Sequence, residues 1–374
     1  MKDYTKLLVF ALLAYNSCAQ PNATKPIAED PVLVNYKAEL VVSDLNIPWG
    51  MAFLPDGSML VTEKSGELYH IINGVKNKIE GMPEVYVRGQ GGLMDIELHP
   101  NYKENGWIYI SFASSEGEGE GGNTAIMRAK LDGKSLVEKE ILYKASPNST
   151  KGQHFGSRIE FDNNGYLYFS IGERGNRDVN PQDITRDCGK IYRLYDDGRI
   201  PEDNPFVNEP NAKKAIYSYG HRNPQGLIKH PITGEIWEGE HGPQGGDEIN
   251  IIHKGKNYGW PVISYGINYD GSSFTDITAK EGMEQPFFYW VPSIAPCGMA
   301  FVTSDIYPNW KGNLLVSSLK FNYIERLVID NNKVIKREKL LEGIGRVRNV
   351  RQGSDGYIYA GIEGKGIIKI VPTN

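Results

Sequence analysis

The fold is decided by a short stretch, Ile159-Glu160-Phe161-Asp162-Asn163-Asn164-Gly165-Tyr166-Leu167-Tyr168-Phe169. It contains an apolar run, a turn with glycine, and a second run rich in aromatic residues, which is the pattern of two strands joined by a tight turn. Five further copies of this unit lie along the chain. Their turn glycines, with Gly165, are at positions 57, 106, 165, 234, 312 and 356. Six such units predict an all-β protein.

The spacing of the copies indicates how they are arranged. Subtracting positions, the turn glycines are 49, 59, 69, 78 and 44 residues apart. A period close to the size of a four-stranded blade, with insertions of variable length, is typical of radial repetition around a channel. We therefore predict a six-bladed β-propeller over about residues 37–372. A β-sandwich or a two-domain all-β protein is the alternative.

The composition is that of an ordinary globular protein. Of the 374 residues, 23% are charged and 40% are hydrophobic, which argues against disorder. The net charge of −5 gives no reason to expect a nucleic-acid partner. Two cysteines lie within the predicted propeller, Cys188 and Cys297, and we expect both to be buried free thiols because two cysteines alone do not define a disulfide.

The N-terminus has the features of a secretory signal. Lys2 and Lys6 precede an apolar run that is too short to span a bilayer. Cys18 follows this run and resembles the lipid-modified cysteine of bacterial lipoproteins, although cleavage near Ala19 without lipid stays open. The predicted parts are a signal peptide over residues 1–18, a tether over residues 19–36 and the propeller over residues 37–374. We expect an exported, periplasmic protein whose one membrane contact is a lipid at Cys18.

The hairpin geometry predicts where functional side chains collect. In an antiparallel hairpin, the residues before the first strand and after the second lie at the same end, opposite the turn. Polar residues of catalytic type occupy these positions in several copies. They are Gln90, His154, Arg222, Asn223, Arg346 and Arg348 before first strands, and Glu63, Glu173, Glu240, His241, Lys320 and Glu363 after second strands. We therefore predict one pocket at the channel mouth.

Three of these residues suggest proton transfer and charge stabilisation. His154 is a candidate general base whose pKa a nearby carboxylate, Glu173, would tune. Arg222 suits an oxyanion or a quinone oxygen, because its guanidinium is permanently charged and directs several donors to one side. The alternatives are a structural histidine, a Glu173 that pairs with a neighbouring arginine, and an Arg222 that holds blades together.

A second group suggests a negatively charged ligand. Arg346 and Arg348 alternate along a strand and so point to the same side. With Lys320 they predict a polyanion with several carboxylates, unless they form a solvated basic face. Trp290 is either core or an aromatic platform beside a sugar or a flat cofactor. We take Trp290 and Gln90 as the candidate substrate-binding residues.

The glycine-rich stretch from Trp237 to Pro261 predicts a sharply bent loop. Such a loop presents bare carbonyls, which are suitable ligands for a hard cation. The alternative is a long turn in which Asp247 and Glu248 are solvated.

Beyond about Leu45 the chain resembles the soluble quinoprotein glucose and sorbosone dehydrogenases, and especially their aldose sugar dehydrogenase branch. The resemblance is strongest over residues 220–226, 240–250 and 257–261. It implies a six-bladed propeller that holds pyrroloquinoline quinone (PQQ), a planar tricarboxylate, together with Ca²⁺ at the channel mouth.

The resemblance also implies roles for individual residues. His154 would take the proton of the sugar hydroxyl while hydride passes to the quinone, and Arg222 would lie by the reactive quinone oxygen with Asn223 beside it. The cofactor would be bound by Lys320, Arg346 and Arg348, and the Ca²⁺ by the backbone carbonyls of Gly242 and Pro243.

The chain departs from its glucose-oxidising relatives at two positions. Glu173 stands where they have a shorter aspartate, and His241 where they have glutamine, so we expect the support of the histidine and the cofactor rim to differ. The loops between blades also look short, which argues against strict glucose specificity. The expected activity is oxidation of aldoses to lactones, with electrons passed to an external acceptor. A Ca²⁺-dependent lactonase and a non-enzymatic propeller that binds a partner or glycan are the alternatives.

Overall fold

A computed structural model describes residues 36–373. The predicted signal peptide, Cys18 and the tether up to residue 35 lie outside the described residues. Within residues 36–373, no helix is both long enough and apolar enough to cross a membrane. Cys188 and Cys297 are buried free thiols, as predicted.

The described chain consists of 24 strands and one short helix, numbered here in chain order. β1 (Tyr36–Ser43) precedes blade 1, which contains β2 (Pro48–Phe53), β3 (Met59–Glu63), β4 (Leu68–Ile72) and β5 (Val75–Ile79). Blade 2 contains β6 (Leu93–Leu98), the helix α1 (Tyr102–Asn105), β7 (Trp107–Ser114), β8 (Asn123–Asp132) and β9 (Ser135–Lys144). Blade 3 contains β10 (Ile159–Phe161), β11 (Leu167–Ile171), β12 (Lys190–Leu194) and β13 (Ile216–Tyr219).

The second half of the chain follows the same plan. Blade 4 contains β14 (Pro224–Lys229), β15 (Ile236–Glu240), β16 (Asp247–Ile251) and β17 (Phe288–Trp290). Blade 5 contains β18 (Pro296–Phe301), β19 (Leu314–Ser318), β20 (Tyr323–Asp330) and β21 (Lys333–Leu340). Blade 6 contains β22 (Val347–Gln352), β23 (Ile358–Ile362) and β24 (Gly366–Pro372).

Six four-stranded antiparallel sheets form a closed ring, which confirms the six-bladed propeller. Blade 6 is completed by β1, which pairs with β24 from Tyr36–Pro372 to Ser43–Gly366. The innermost strands, β2, β6, β10, β14, β18 and β22, contact one another in sequence around the ring, and β2 contacts β22. The first inner strand, β2, therefore packs against the last inner strand, β22, and this contact closes the ring.

The repeated unit found in the sequence is the inner hairpin of each blade. Ile159 pairs with Phe169 in β10 and β11, and the other five copies form the corresponding pairs of strands. The six turn glycines have φ angles between 69° and 85°. This left-handed conformation is strained for residues with a Cβ atom, which is why glycine recurs there.

The apolar core lies between the blades. Six clusters of buried side chains each join two neighbouring blades, and the sixth joins blade 6 to blade 1. Both faces of the inner strands are therefore covered, and a strand such as β11 is buried along its whole length. Burial between blades fixes the rotation of each blade and so the position of its strand ends.

One buried arginine contacts every blade at the axis of the ring. Arg158, at the start of β10, stacks over Trp49 of blade 1 at 4.1 Å and pairs with Asp95 of blade 2 at 3.0 Å. Its other donors lie against groups of blades 4, 5 and 6. These are Gln225 O at 2.6 Å, Cys297 Sγ at 3.4 Å and Arg348 O at 3.0 Å.

Candidate active site

His154 lies at the channel mouth in the segment that enters β10. Its backbone is in the left-handed region, with φ 56°, and its N–H donates to Gln90 Oε1 at 2.8 Å. The ring Nδ1 is hydrogen-bonded to the carboxylate of Glu173. Because the carboxylate accepts the Nδ1 proton, the unprotonated Nε2 is the nitrogen that can take a proton. Gln90 thus fixes the backbone of the histidine and Glu173 fixes its ring.

Glu173 follows the end of β11 and is 1% exposed. Its N–H donates to Arg222 O at 2.8 Å, and its second carboxylate oxygen is buried without a hydrogen-bond partner. Burial lowers the pKa of His154, the bond to Glu173 opposes this effect, and the charge of Arg222 adds to it. The imidazole is therefore neutral at pH 7, the form that a general base requires.

Arg222 and Asn223 form the next part of the rim, before β14. The carboxylate of Glu240 accepts the N–H of Arg222 at 2.6 Å and that of Asn223 at 3.2 Å. Arg222 Nη1 donates to His241 O at 2.8 Å, and its guanidinium lies 5.3 Å from the ring of Trp260. Arg222 Nε and Asn223 Nδ2 are buried and have no partner. These two donors remain available for a ligand.

His241 is a neutral component of the same rim. Its Nε2 is 2.7 Å from Pro296 O, so this nitrogen carries the proton and donates it. Burial and then the charge of Arg222 lower the pKa of His241 to about 3. The ring is uncharged throughout the physiological range.

The opposite side of the mouth is basic. Arg346 Nε donates to Glu363 Oε2 at 2.6 Å, and Arg348 Nε donates to Glu363 Oε1 at 3.0 Å. Burial favours a raised pKa for Glu363, but Arg348 and Arg346 outweigh it and hold this pKa below its usual range. Arg346 Nη1 also donates to Leu319 O at 3.0 Å, which places it beside Lys320.

Gln225 joins the two sides of the mouth. Its Nε2 is 3.4 Å from Asn223 Oδ1, and its Oε1 accepts from Arg348 Nη1 at 3.4 Å. A single network of contacts thus links His154, Glu173, Arg222 and Asn223 to Arg348 and Arg346, and Lys320 follows Leu319, whose carbonyl Arg346 binds. The structure brings these predicted site residues together at one end of the ring.

The loop between β15 and β16 is shaped by Asp247. Its carboxylate accepts the N–H of Gly242 at 2.8 Å and that of Ala295 at 2.7 Å, and Ser293 Oγ donates to Pro243 O at 3.1 Å. Burial raises the pKa of Asp247 to about 6. Asp247 is therefore a structural support of the Gly242–Pro243 turn, and not a solvated residue.

An acidic cluster lies behind this loop. Ligand atoms of His221, Glu238 and Glu240 lie within 4.8 Å of one another, an arrangement that suits a metal ion. Asn250 Oδ1 and Glu238 Oε1 are buried without partners, and burial followed by the charge of Glu240 raises the pKa of Glu238. Sequence reasoning missed this cluster, although the alternation of Glu238 and Glu240 along one strand was a usable signal.

Two further residues of the site escaped the sequence analysis. Trp260 is the aromatic ring that faces Arg222. Lys64 follows β3 at the mouth, and its pKa is lowered by burial and by the charge of Arg348; the same rule of strand ends would have found it.

Two of the residues singled out in the sequence, Trp290 and Glu63, make contacts that stabilise the fold. Trp290 is 1% exposed, and its indole N–H donates to Glu325 at 3.2 Å, so the structure favours the core interpretation over an exposed platform. The carboxylate of Glu63 accepts the N–H groups of Asn46 and Ile47, so Glu63 holds a loop.

Comparison with known proteins adds independent information. The profile of the family described as Glucose / Sorbosone dehydrogenase matches residues 45–369. Aldose sugar dehydrogenase YliI of Escherichia coli (strain K12) is 40% identical over 354 residues, which cover 92% of this chain and 94% of the relative.

Among solved structures, aldose sugar dehydrogenases are likewise similar to this chain. The apo-form of the soluble aldose sugar dehydrogenase from Escherichia coli is 38% identical, with a TM-score of 0.87, over 90% of this chain and all of that chain. The PQQ-bound aldose sugar dehydrogenase from Streptomyces coelicolor is 26% identical, with a TM-score of 0.74, over 91% of this chain and 99% of that chain.

Proposed function

Because the chain belongs to the glucose/sorbosone dehydrogenase family, we propose that it oxidises aldose sugars at the anomeric carbon to lactones, with PQQ and Ca²⁺ at the channel mouth. The family and its relatives make the protein a sugar dehydrogenase of the PQQ type. The calcium, the lactone product and the roles of individual residues are our proposal. The observation that carries it is the His154–Glu173 pair facing Arg222 and a group of cations.

The residues at the mouth fit a planar tricarboxylate. Arg222 Nε and Asn223 Nδ2 are buried donors without partners, and the basic side supplies Arg346, Arg348 and Lys320 for carboxylates. The carbonyls of Gly242 and Pro243, held by Asp247, are hard ligands of the kind Ca²⁺ prefers. We assign the cofactor and the metal to these groups.

The bound quinone would supply the hydride acceptor, and Ca²⁺ would make its carbonyl more electrophilic. The chain supplies the proton chemistry. His154 Nε2 takes the proton from the anomeric hydroxyl as the C1 hydrogen leaves as hydride, so the sugar loses two electrons and two hydrogens and becomes a lactone. Glu173, hydrogen-bonded to Nδ1, stabilises the imidazolium that forms. Arg222 directs positive charge to the side where negative charge develops.

The lactonase alternative has less support. A calcium lactonase needs an accessible metal held by several carboxylates. The carboxylates nearest to that description, Glu238 and Glu240, are 0% and 4% exposed, with His221 at 0%, so a lactone has no access to them. Nothing specific favours a non-enzymatic propeller.

The proposal is tested by reconstitution. Apoprotein is titrated with PQQ in the presence of CaCl₂, binding is followed by absorbance, and reduction of an electron-accepting dye is measured with a panel of aldoses. We expect dye reduction that requires both additions, and loss of rate with retained quinone binding in His154→Gln. Quinone binding without oxidation of any aldose would refute the reaction, and lactone hydrolysis without quinone would support the alternative.

We also propose that the protein is exported, with Cys18 as its lipid-modified residue. The support is the sequence pattern of Lys2, Lys6 and the apolar run before Cys18. Mass spectrometry of the mature N-terminus is the test, since a diacylated cysteine and an unmodified N-terminus near Ala19 differ in mass.

A further inference from the structure

A second cavity lies behind the loop that carries Glu173, between blades 2 and 3. It has a volume of about 270 Å³, and we call it the rear pocket. Its lining includes four amide side chains and three cations, namely Asn123, Asn148, Asn176, Asn180, Lys151, Arg174 and Arg186. The proposed reaction uses none of these groups.

Arg174 is the most deeply buried cation of the rear pocket, at 1% exposure. Its guanidinium stacks on Phe155 at 3.5 Å and donates to backbone carbonyls, among them Lys151 O at 2.8 Å and Gln153 O. Its Nε is buried without a partner, and no carboxylate within residues 36–373 forms an ion pair with it. Burial lowers the pKa of Arg174 to about 10. Its charge is therefore poorly compensated.

The other charges around the rear pocket increase the imbalance. Lys190 is 0% exposed and donates to Cys188 O at 2.8 Å, and burial lowers its pKa to about 8. Arg186 Nε donates to Asn180 Oδ1 at 3.2 Å, a neutral acceptor. The lining contains one carboxylate, Asp187, and this group already accepts from Tyr143, Tyr192, Ser146 and Lys213. Outside the lining, Asp183 lies near Arg186 and Lys190, and Glu173 lies near Arg174. Among the residues that line the rear pocket, three cations face one carboxylate, so the lining is positive.

We propose that the rear pocket binds a small oxyanion, with Lys151 and Arg186 as its charged ligands and Asn176 as a neutral donor. Sulfate, phosphate and the carboxylate of a sugar acid share the required chemistry, since all present several oxygens to cationic and amide donors. A volume of about 270 Å³ admits an inorganic oxyanion with water or a single sugar acid. The anion offsets the buried charge of Arg174.

The position of the rear pocket gives anion binding a local consequence. Arg174 holds the carbonyls of Lys151 and Gln153, which lie three residues and one residue before His154 in the chain. An anion that fixes Arg174 therefore orders the segment that carries the proposed base. Anion binding itself does not depend on the redox reaction, so either inference can fail while the other holds.

The first test measures affinity in the protein loaded with PQQ and Ca²⁺, so that the cationic mouth is filled. Sodium sulfate, phosphate and gluconate are titrated against sodium chloride at equal ionic strength, with calorimetry and the melting temperature as readouts. We expect saturable binding that weakens at least about tenfold in the double variant Lys151→Gln/Arg186→Gln. Lys134→Gln, which removes an exposed charge of blade 2, is the matched control and binds as the wild type does.

The three anions distinguish the sources of the ligand. Tighter binding of gluconate assigns the rear pocket to a sugar acid, and tighter binding of sulfate or phosphate assigns it to an inorganic anion. Equal affinity of wild type and double variant for all three overturns the proposal.

A second test locates the anion without any variant. Crystals are soaked in selenate, and the anomalous signal of selenium is mapped. The proposal requires a peak between Lys151 and Arg186, whether or not quinone is bound. Peaks at the channel mouth alone, with none in the rear pocket, refute it.

Discussion

At the scale of single residues, the site depends on how Glu173 and its neighbours set the charge of two histidines. His154 and His241 are both neutral, but for different reasons. His154 keeps a carboxylate partner that partly offsets its burial, whereas His241 has a backbone carbonyl and a nearby Arg222. Only His154 can therefore accept a proton at low cost, because only its imidazolium is stabilised.

Replacement of Glu173 tests this difference. In Glu173→Gln the ring of His154 loses the charged partner, and we expect kcat to fall by roughly 10²- to 10⁴-fold. Glu173 raises the pKa of His154, so the acidic limb of the pH–rate profile moves to lower pH in the variant. Dye-linked kinetics with saturating quinone are the measurement. Glu235→Gln, an exposed change at the far end of blade 4, is the control, and an unshifted limb in Glu173→Gln would contradict the pairing.

His241 predicts a pH dependence of stability. Its folded-state pKa of about 3 lies below the unfolded value, so the unfolded chain binds the extra proton and stability falls as pH falls below about 6.5. Between pH 7 and pH 5 this contribution is on the order of 1–2 kcal/mol. In His241→Gln, whose amide still donates to Pro296 O, that loss disappears. The test is urea unfolding at pH 7 and at pH 5, with the exposed His253→Gln as the control. If wild type and both variants lose the same unfolding free energy between these pH values, His241 is not the cause of the pH dependence.

At the scale of elements, the inner hairpins were predictable and their surroundings were not. The hairpin of residues 159–169 has its own turn signal, so the sequence predicts both strands and the end at which His154 and Glu173 meet. The acidic cluster forms because Glu238 lies opposite Asn250, and Glu240 opposite Glu248, across β15 and β16. That register depends on a glycine-rich loop whose path no local pattern specifies. Trp290 was ambiguous for a related reason, since core and platform tryptophans have the same local sequence.

The Gly242–Pro243 turn gives an element-scale prediction. Asp247→Ala leaves the N–H groups of Gly242 and Ala295 buried without an acceptor, which we expect to cost about 2–4 kcal/mol of unfolding free energy. Because the turn also carries the proposed Ca²⁺ ligands, the Ca²⁺ concentration needed for quinone binding should rise at least about tenfold. Denaturant unfolding and the absorbance titration measure the two effects.

Asp276→Ala is the control for this experiment, since Asp276 is an exposed carboxylate that bonds Ser273. If Asp247→Ala is destabilised but binds quinone at the same Ca²⁺ concentration as the wild type, the turn does not contribute to Ca²⁺ binding and the second part of the prediction is wrong.

At the scale of the whole molecule, Arg158 is the common contact of the six blades. It is 2% exposed and lies directly below the residues of the mouth, because it donates to Arg348 O and Gln225 O. The sequence predicts the ring from its repeats, but not this contact, since only closure of the ring brings Trp49, Asp95 and Arg348 to one side chain.

Removal of this arginine should affect the entire fold. Arg158→Met leaves Asp95 buried with much of its charge compensation removed, and we expect a loss of about 3–5 kcal/mol in unfolding free energy. The double variant Arg158→Met/Asp95→Asn should recover part of that loss. Thermal and denaturant unfolding are the measurements, and Arg199→Met, which removes an exposed ion pair with Asp197, should behave as the wild type. Separate melting of individual blades in wild type would contradict a common contact.

The pairing of β1 with β24 also constrains how the molecule is made. A ribosome synthesises Tyr36 long before Pro372, so β1 has no strand to pair with until residues 366–372 have been synthesised. Arg346, Arg348 and Glu363 arrive in the same late portion. The cofactor site that we propose is therefore completed only after these residues are synthesised, and a product truncated before β22 can neither close the ring nor complete that site.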